Sequence, residues 1–369
     1  MTNTSDPDQH HTGTGQTLPI RFTASGRDYA RLWLRNLGLT LITLGLYLPF
    51  ARAHRLRFFR QHTQVDGEAL DFDGDGREML RPHLLLCAVL LLYILIAHEM
   101  PLGAALLLLA ALPFWPTLMM RSLRWRLEHT RWRGRRLAFH GDAAGARAVF
   151  LPAAAPLAVL LVGQALLAGP QAEFDDGGGW LVPALVSLAL LALLALLPWL
   201  HARHSRYRHA NFGLSADAGA GADAGTGPAA QAERTRLDAS VEPRHFYRLH
   251  GGVLAGLAGA LLVNLLFATW IDTLLAAAPM LTGLLLDMML LLALRAWLVA
   301  GTQTLLWNHT LSPHYRFACH LPLSRLLLLS LKNLLLCVLT LGLYWPHAVV
   351  ATTRLRLESI TLSRLPGTN

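Results

Sequence analysis

Two ionisable side chains, Asp287 and Arg295, lie inside a long apolar segment at residues 280–307. A charge in such a segment is costly, so it usually faces a partner or water and often marks a path for a solute. The eight positions between them correspond to about 12 Å of helix rise, too far for a direct pair along one helix. We therefore expect each side chain to have a partner elsewhere, either in a structural clamp or along a transport path.

One phrase occurs twice near opposite ends of the chain. LRNLGLTLITLGLYLPFA at 34–51 recurs as LKNLLLCVLTLGLYWPHA at 331–348. Proline breaks helices, and broken helices expose backbone groups that can hold a solute. We therefore predict two broken helices that pack near the centre of an internally repeated membrane protein. The candidate solute-binding or structural residues are Asn36, Thr43, Gly45, Tyr47 and Pro49, with the counterparts Asn333, Thr340, Gly342, Tyr344 and Pro346.

Other chemistry-bearing patterns favour no enzyme. The chain has no Walker sequence, nucleophile elbow, HExxH motif or pair of carboxylates in a catalytic arrangement. His201, His204 and His209 share about one face of a helix, but the arginines between them favour a basic helix end over a metal site. We expect no catalytic residues, no metal and no cofactor.

The composition indicates a membrane protein. The chain is 53% hydrophobic and only 15% charged, whereas a soluble chain carries about a quarter charged residues. Apolar residues fall in long blocks, as they do in membrane spans. The net charge of +9 comes from arginines at the ends of these blocks, which favours topological anchoring over binding to nucleic acid.

The blocks predict an all-α polytopic membrane protein with about eight apolar helical segments. Three hairpins are rooted in the cytoplasm, and the first and last segments are the broken helices. Eight full spans are slightly favoured over re-entry of those two segments. The arginine-rich connections are predicted to be cytoplasmic and the tips near Glu99, Asp175 and Asp272 periplasmic. The segments are 32–50, 84–97, 102–120, 148–168, 180–200, 253–270, 280–307 and 326–350.

A weaker pattern recurs in the cytoplasmic connections. FFRQHTQVDGEALDFDG at 58–74 and RWRLEHTRWRGRRLAFHG at 124–141 both run from a basic helix end through His-Thr and a turn to Phe-x-Gly. The Asp66-Gly67 turn is a β-hairpin signal, so we predict short β-hairpin-like caps, with looser copies at 205–216 and 305–320. The chain divides into a disordered tail (1–20), two membrane halves (21–215 and 241–364) and a flexible linker (216–240).

The repeated phrase, preceded by Phe22, Gly26 and Tyr29, resembles the pattern of the YjgN family, multi-pass proteins of the bacterial inner membrane. Phe50 and His347 stand where tryptophan is usual in that family. The resemblance covers most of residues 20–360 and implies a location in the bacterial inner membrane. It brings no established activity.

Two functional hypotheses remain open. In the first, the protein is a transporter or channel for a small solute or a lipid. In the alternative, it is a non-transporting scaffold that binds anionic lipid or a partner through its arginine-rich caps, chiefly residues 121–136. The expected partners are the bilayer and anionic lipid head groups, and no nucleic acid.

Overall fold

The protein consists mainly of helices with short antiparallel strands at their ends. The computed structural model describes residues 17–168, 180–214, 238–239, 241–274, 279–312 and 315–364. In chain order the elements are β1 (Thr17–Phe22), α1 (Gly26–Ile42), α2 (Leu48–Gln61), β2 (Thr63–Val65), β3 (Glu68–Ala69), β4 (Asp71–Phe72), α3 (Arg77–Ala97), α4 (Pro101–Ala111), α5 (Trp115–Glu128), β5 (Thr130–Trp132), β6 (Arg135–Phe139), α6 (Ala143–Ala168), α7 (Leu181–Ala210), β7 (Phe212–Leu214), β8 (Asp238–Ala239), α8 (Pro243–Leu274), α9 (Pro279–Asn308), β9 (Thr310–Leu311), β10 (Tyr315–Cys319), α10 (Leu323–Leu339), α11 (Trp345–Glu358) and β11 (Ile360–Arg364).

Within this part of the chain, six helices are long and apolar enough to cross a membrane. They are α3, the continuous run of α4 and α5, and α6 to α9. In the most apolar window of α3 no residue is buried, so this surface needs an apolar solvent such as lipid. The prediction of several apolar spanning helices is confirmed, but the count of eight is not, because the first and last segments form shorter bent pairs.

Five stretches of the chain share one plan, in which a strand leads into helices and a second strand returns to pair with the first. We call them hairpin units 1 to 5: residues 17–65, 71–132, 135–214, 238–311 and 315–364. Because both ends of each unit meet in one sheet, the helices leave the sheet and come back, including those of the two broken segments. The closing pairs are Phe22 with Thr63, Phe72 with Thr130, Phe139 with Phe212, Ala239 with Thr310, and Cys319 with Ile360.

The units follow one another in a cycle. The two sheets have the strand orders β3-β2-β1-β11-β10-β9-β8 and β4-β5-β6-β7. Strand β1 pairs with β11, so the fifth unit lies beside the first. Helix contacts follow the same order: α2 with α3, α5 with α6, α7 with α8, α9 with α10, and α11 with α1. The two predicted membrane halves are therefore joined at both of their borders.

Arginines of the second helices lock neighbouring units together. In each case the guanidinium donates to carbonyls at or just after the end of the first strand of the next unit, and so satisfies backbone acceptors there. Unit 4 has Thr304 at the matching position, and there Asn308 exchanges hydrogen bonds with the backbone of Cys319 (3.3 and 2.7 Å). The arginine contacts are Arg57 to Phe72 and Gly74 (3.2 and 3.3 Å), Arg124 to Gly141 (2.7 Å), Arg206 to Val241, and Arg354 to Phe22 and Ala24 (3.2 and 2.7 Å).

The predicted caps are present as these small antiparallel sheets. Asp66 and Gly67 have φ of 55° and 79°, and Arg133 and Gly134 have 52° and 76°, the conformation of a tight two-residue hairpin turn. Strand β1 begins at Thr17, within the stretch assigned to the tail. Residues 1–16, most of the predicted linker at 216–240, and the tip that holds Asp175 lie outside the described residues.

Candidate functional site

The two broken helices have the same turn at the same place. Helices α1 and α10 each end in a Schellman motif, in which the Gly45 amide donates to the Thr40 carbonyl (2.8 Å) and the Gly342 amide to the Cys337 carbonyl (2.7 Å). Leu44 and Leu341 have φ of 50°, and the two glycines have φ of 90° and 88°. The repeated Leu-Gly pair thus reverses the chain direction in both units.

The threonine of each copy caps the helix that follows. Thr43 Oγ1 accepts from the Tyr47 amide and Thr340 Oγ1 from the Tyr344 amide, both at 3.0 Å. Every amide from 43 to 48 and from 340 to 345 donates within its own turn. The turns therefore offer no free backbone donors to a solute, contrary to the premise of the sequence argument.

The prolines do not make the break. Pro49 and Pro346 occupy the second position of α2 and α11, where a missing amide costs little and the fixed φ suits a helix start. Both are buried. The break was predicted at the right residues, but its cause is the left-handed Leu-Gly turn and the threonine cap.

The repeated asparagines are buried between paired helices. Asn36 is 8% exposed and Asn333 is 7% exposed. Asn333 Nδ2 donates to Thr352 Oγ1 at 3.3 Å, from α10 to α11. The side-chain oxygens of both asparagines have no hydrogen-bond partner. Asn333 therefore joins the two arms of its hairpin.

The tyrosines lie beside histidines of the following helix. Tyr47 OH is 3.3 Å from Nδ1 of His54, and the Tyr344 ring stacks on His347 with centroids 5.3 Å apart. A Cβ at Gly26 would overlap the His347 ring, so the first and last units touch through a glycine contact. The predicted packing of the two broken segments is present between α1 and α11.

The spacing predicted that Asp287 and Arg295 would not pair with each other, and in the structure they have different neighbours. Asn264 Nδ2 on α8 donates to Asp287 Oδ1 on α9 at 2.7 Å, which gives the carboxylate the donor that its setting requires. Arg295 lies within electrostatic range of Arg356. Arg356 in turn bonds to Gln303 Oε1 at 2.8 Å. The two ionisable groups thus belong to different contacts of α9.

Arginines from three consecutive units lie near one another on α2, α5 and α7, and three of them, Arg60, Arg126 and Arg208, are at the sheet-side ends of these helices. Arg126 on α5 lies within electrostatic range of Arg52 and Arg60 on α2 and of Arg208 on α7. Ser122 joins two of these arginines. Its hydroxyl is 3.4 Å from Arg52 Nη2 and its carbonyl is 3.1 Å from Arg126 Nε. We call Arg52, Arg60, Arg126 and Arg208 the arginine cluster.

The arginine cluster has no carboxylate counterion among the described residues. Burial lowers the pKa of Arg60, the expected effect on a cation that no opposite charge compensates. Arg52 and Arg208 are exposed, while Arg60 and Arg126 are partly buried. An anion beside Ser122 would lie near the guanidinium groups of both Arg52 and Arg126, which makes the cluster the strongest candidate anion site among the described residues.

The cap arginines differ from this cluster because they are paired. Arg131 and Arg136 contact Asp73 at 2.7 and 3.0 Å, and Arg133 contacts Asp66 and Glu68. Their charge is therefore largely balanced within the sheet. From the sequence, these arginines were predicted to be topological anchors or, at 121–136, binders of lipid head groups, and the cluster was not predicted. The signal available in the sequence was an arginine three or four residues before a returning strand in the first, second and third units.

The fold and its site define a multi-helix protein with helices fit to cross a membrane, whose hairpins return to common sheets. The chain belongs to a particular family. The family described as bacterial protein of unknown function (DUF898) matches residues 17–368, nearly the whole chain, and the resemblance to YjgN is confirmed. No curated protein matches the chain, and no solved structure matches it.

Proposed function

We propose that the protein binds an anionic solute at the arginine cluster and passes it across the bacterial inner membrane. The observation that carries this proposal is that Arg52 on α2 and Arg126 on α5 meet at Ser122, with Arg60 and Arg208 within electrostatic range of Arg126 and no carboxylate paired with any of the four among the described residues. The proposal involves no chemical step, and the protein acts as a transporter or channel rather than as an enzyme.

The orientation follows from the shared plan of the units. All five begin and end at the sheets, so six spanning helices and two re-entrant hairpins would leave β1 and β11 on the same side of the membrane. Arginine-rich ends favour the cytoplasm. The arginine cluster then lies at the cytoplasmic end of the helices, and the shared plan supports internal repetition as the origin of the chain.

The length of the broken helices supports re-entry. Helix α1 has 17 residues, about 25 Å at 1.5 Å per residue, and a hydrocarbon core is about 30 Å thick. The turn residues Leu44 and Leu341 are 94% and 95% exposed, which suits an apolar tip surrounded by lipid. These two hairpins would lie beside the six spanning helices without crossing the membrane.

The physical basis of anion binding is the positive charge of the arginine cluster, which no carboxylate among the described residues balances. Hydrogen bonds to charged groups contribute about 1.5–3 kcal/mol each, and guanidinium groups bind oxyanions through two donors at once. Like charges held close together repel, so an anion between them relieves a cost that the empty site carries. A neutral solute gains neither term.

The test is anion binding and flux with purified protein in liposomes. Sulfate, inorganic phosphate and succinate serve as probes, and Arg126→Gln should weaken binding of the preferred anion at least tenfold and slow its uptake. Arg121→Gln is the matched control, since Arg121 lies on the same helix, is exposed and takes no part in the cluster. Equal loss in both variants, or binding unchanged in Arg126→Gln, would refute the proposal.

The scaffold hypothesis has less support. It depends on arginines at 121–136 that bind head groups, and three of them, Arg131, Arg133 and Arg136, are already paired with Asp66, Glu68 and Asp73, which leaves mainly Arg126 of the arginine cluster for an anionic ligand. A scaffold would retain its role when anion flux is abolished, so the same liposome experiment separates the two hypotheses.

A further inference from the structure

A pocket of about 320 Å³ lies between α8 and α9 near their sheet-side ends and shares no lining residue with the arginine cluster. The first turns of α8 contribute His245, Arg248 and Leu249, and α9 contributes Trp297, Gly301 and Leu305. Both helices are among the six that can span a membrane. The pocket therefore lies at the level where lipid head groups would meet the protein.

The polar side of the pocket is cationic and has no carboxylate among its lining residues. Arg248 is exposed and makes no ion pair within the described structure. The Nδ1 atom of His245 is buried without a hydrogen-bond partner. The nearest acid on the same helix end, Glu242, is taken by Arg244. The start of α8 adds the partial positive charge of a helix N-terminus.

The other side of the pocket is apolar and fixed in shape. Trp297 Nε1 donates to the Leu249 carbonyl at 3.1 Å, which holds the indole over Gly252, where a Cβ would lie 3.1 Å from the ring. Trp297 is 43% exposed. Indole rings prefer the depth of the lipid head groups. Along α8, the exposed residues Leu262 and Leu266 lie on the same side of the helix as Arg248 and continue this apolar surface away from the sheet.

We propose that this pocket binds the phosphate of an anionic phospholipid, with its acyl chains along the exposed leucines of α8. Arg248 and His245 bind the phosphate oxygens, and Trp297 contacts the glycerol region. A free phosphate would use only the cationic side and gain nothing from the indole or the leucines. The site is independent of the arginine cluster, so Arg126→Gln should leave it unchanged.

The experiment measures thermal unfolding of the full-length protein in detergent with added phosphatidylglycerol, phosphatidylcholine or inorganic phosphate. A ligand that binds only the folded state raises the unfolding temperature. We expect phosphatidylglycerol to raise it most, and Arg248→Gln to require about tenfold more phosphatidylglycerol for the same shift. Arg248→Lys should keep the preference for anionic lipid. Arg325→Gln, which removes an exposed arginine of α10 outside the pocket lining, should behave as wild type.

Three results would overturn the proposal. The first is an unchanged response to phosphatidylglycerol in Arg248→Gln. The second is equal stabilisation by phosphatidylcholine, which would indicate a general detergent-replacement effect. The third is stabilisation by inorganic phosphate alone, which would assign the pocket to a free anion instead of a lipid.

Discussion

Replacement of Gly342 by alanine tests the origin of the helix break. Gly342 has φ of 88°, and no atom lies within 4 Å of the position that a Cβ would take. Steric overlap with neighbours is therefore absent, and the cost is that of the backbone conformation itself. A left-handed residue other than glycine costs about 1–2 kcal/mol, so Gly342→Ala should destabilise the folded protein by that amount.

Gly38→Ala is the matched control. Gly38 lies within α1, has an ordinary helical backbone and also has open space around its Cβ position. Alanine is favoured over glycine inside a helix by roughly 0.5–1 kcal/mol. The same chemical change should therefore stabilise the protein at Gly38 and destabilise it at Gly342, with opposite signs that no general effect of an added methyl group can produce.

The assay is thermal unfolding in detergent, followed by intrinsic tryptophan fluorescence. For a chain of this size each kcal/mol corresponds to a shift of about 2 °C, so the two variants should differ by about 3–6 °C. Equal unfolding temperatures for Gly342→Ala and wild type would refute the left-handed turn as the cause of the break. A drop of equal size in both variants would refute the structural distinction between the two glycines.

Three further variants and one topology test address other contacts. Thr340→Val removes the acceptor for the Tyr344 amide and should cost about 1 kcal/mol in the same melting assay, while Thr340→Ser should not; equal effects would contradict the cap. Arg57→Gln removes two bonds to carbonyls of the next unit and should cost about 1–3 kcal/mol, and an unchanged unfolding temperature would rule out a structural role for this junction. Asp287→Asn keeps an acceptor for Asn264, so membrane abundance should stay near wild type; if Asp287 serves transport, anion flux should be lost, and if it is a clamp, flux should persist. Reporter fusions should give a periplasmic signal at Glu99 and a cytoplasmic signal at Gly67, and the reverse pattern would invert the proposed orientation.

Several features of the fold follow from short-range patterns. The apolar blocks predicted long helices because burial of a helix in lipid requires about 20 apolar residues in succession. The Asp66-Gly67 dipeptide predicted a tight turn because its residues tolerate positive φ. The repeated phrase Thr-Leu-Gly-Leu-Tyr-x-Pro predicted the position of both helix breaks. It could do so because the hydrogen bonds that close each turn join residues no more than five positions apart.

The cause of the break was harder to predict. Proline is the strongest local signal of a helix end, and it was taken as the breaker. In the structure Pro346 is the second residue of the next helix, whereas Leu341, a residue rarely found at positive φ, takes the left-handed position. Local propensity does not favour leucine there. The threonine cap and the six-residue hydrogen bond outweigh that preference.

The sequence by itself determined that the chain forms apolar helices joined by basic caps, because helix length, turn type and charge at helix ends depend on neighbouring residues. Only the tertiary structure decided that β1 pairs with β11 and that each unit returns to its own first strand. Those pairs join residues far apart in the chain, and short strands of two to six residues carry too little pattern to select a partner. The convergence of Arg60, Arg126 and Arg208 has the same origin, since the cyclic order of the units brings together side chains that no local spacing relates.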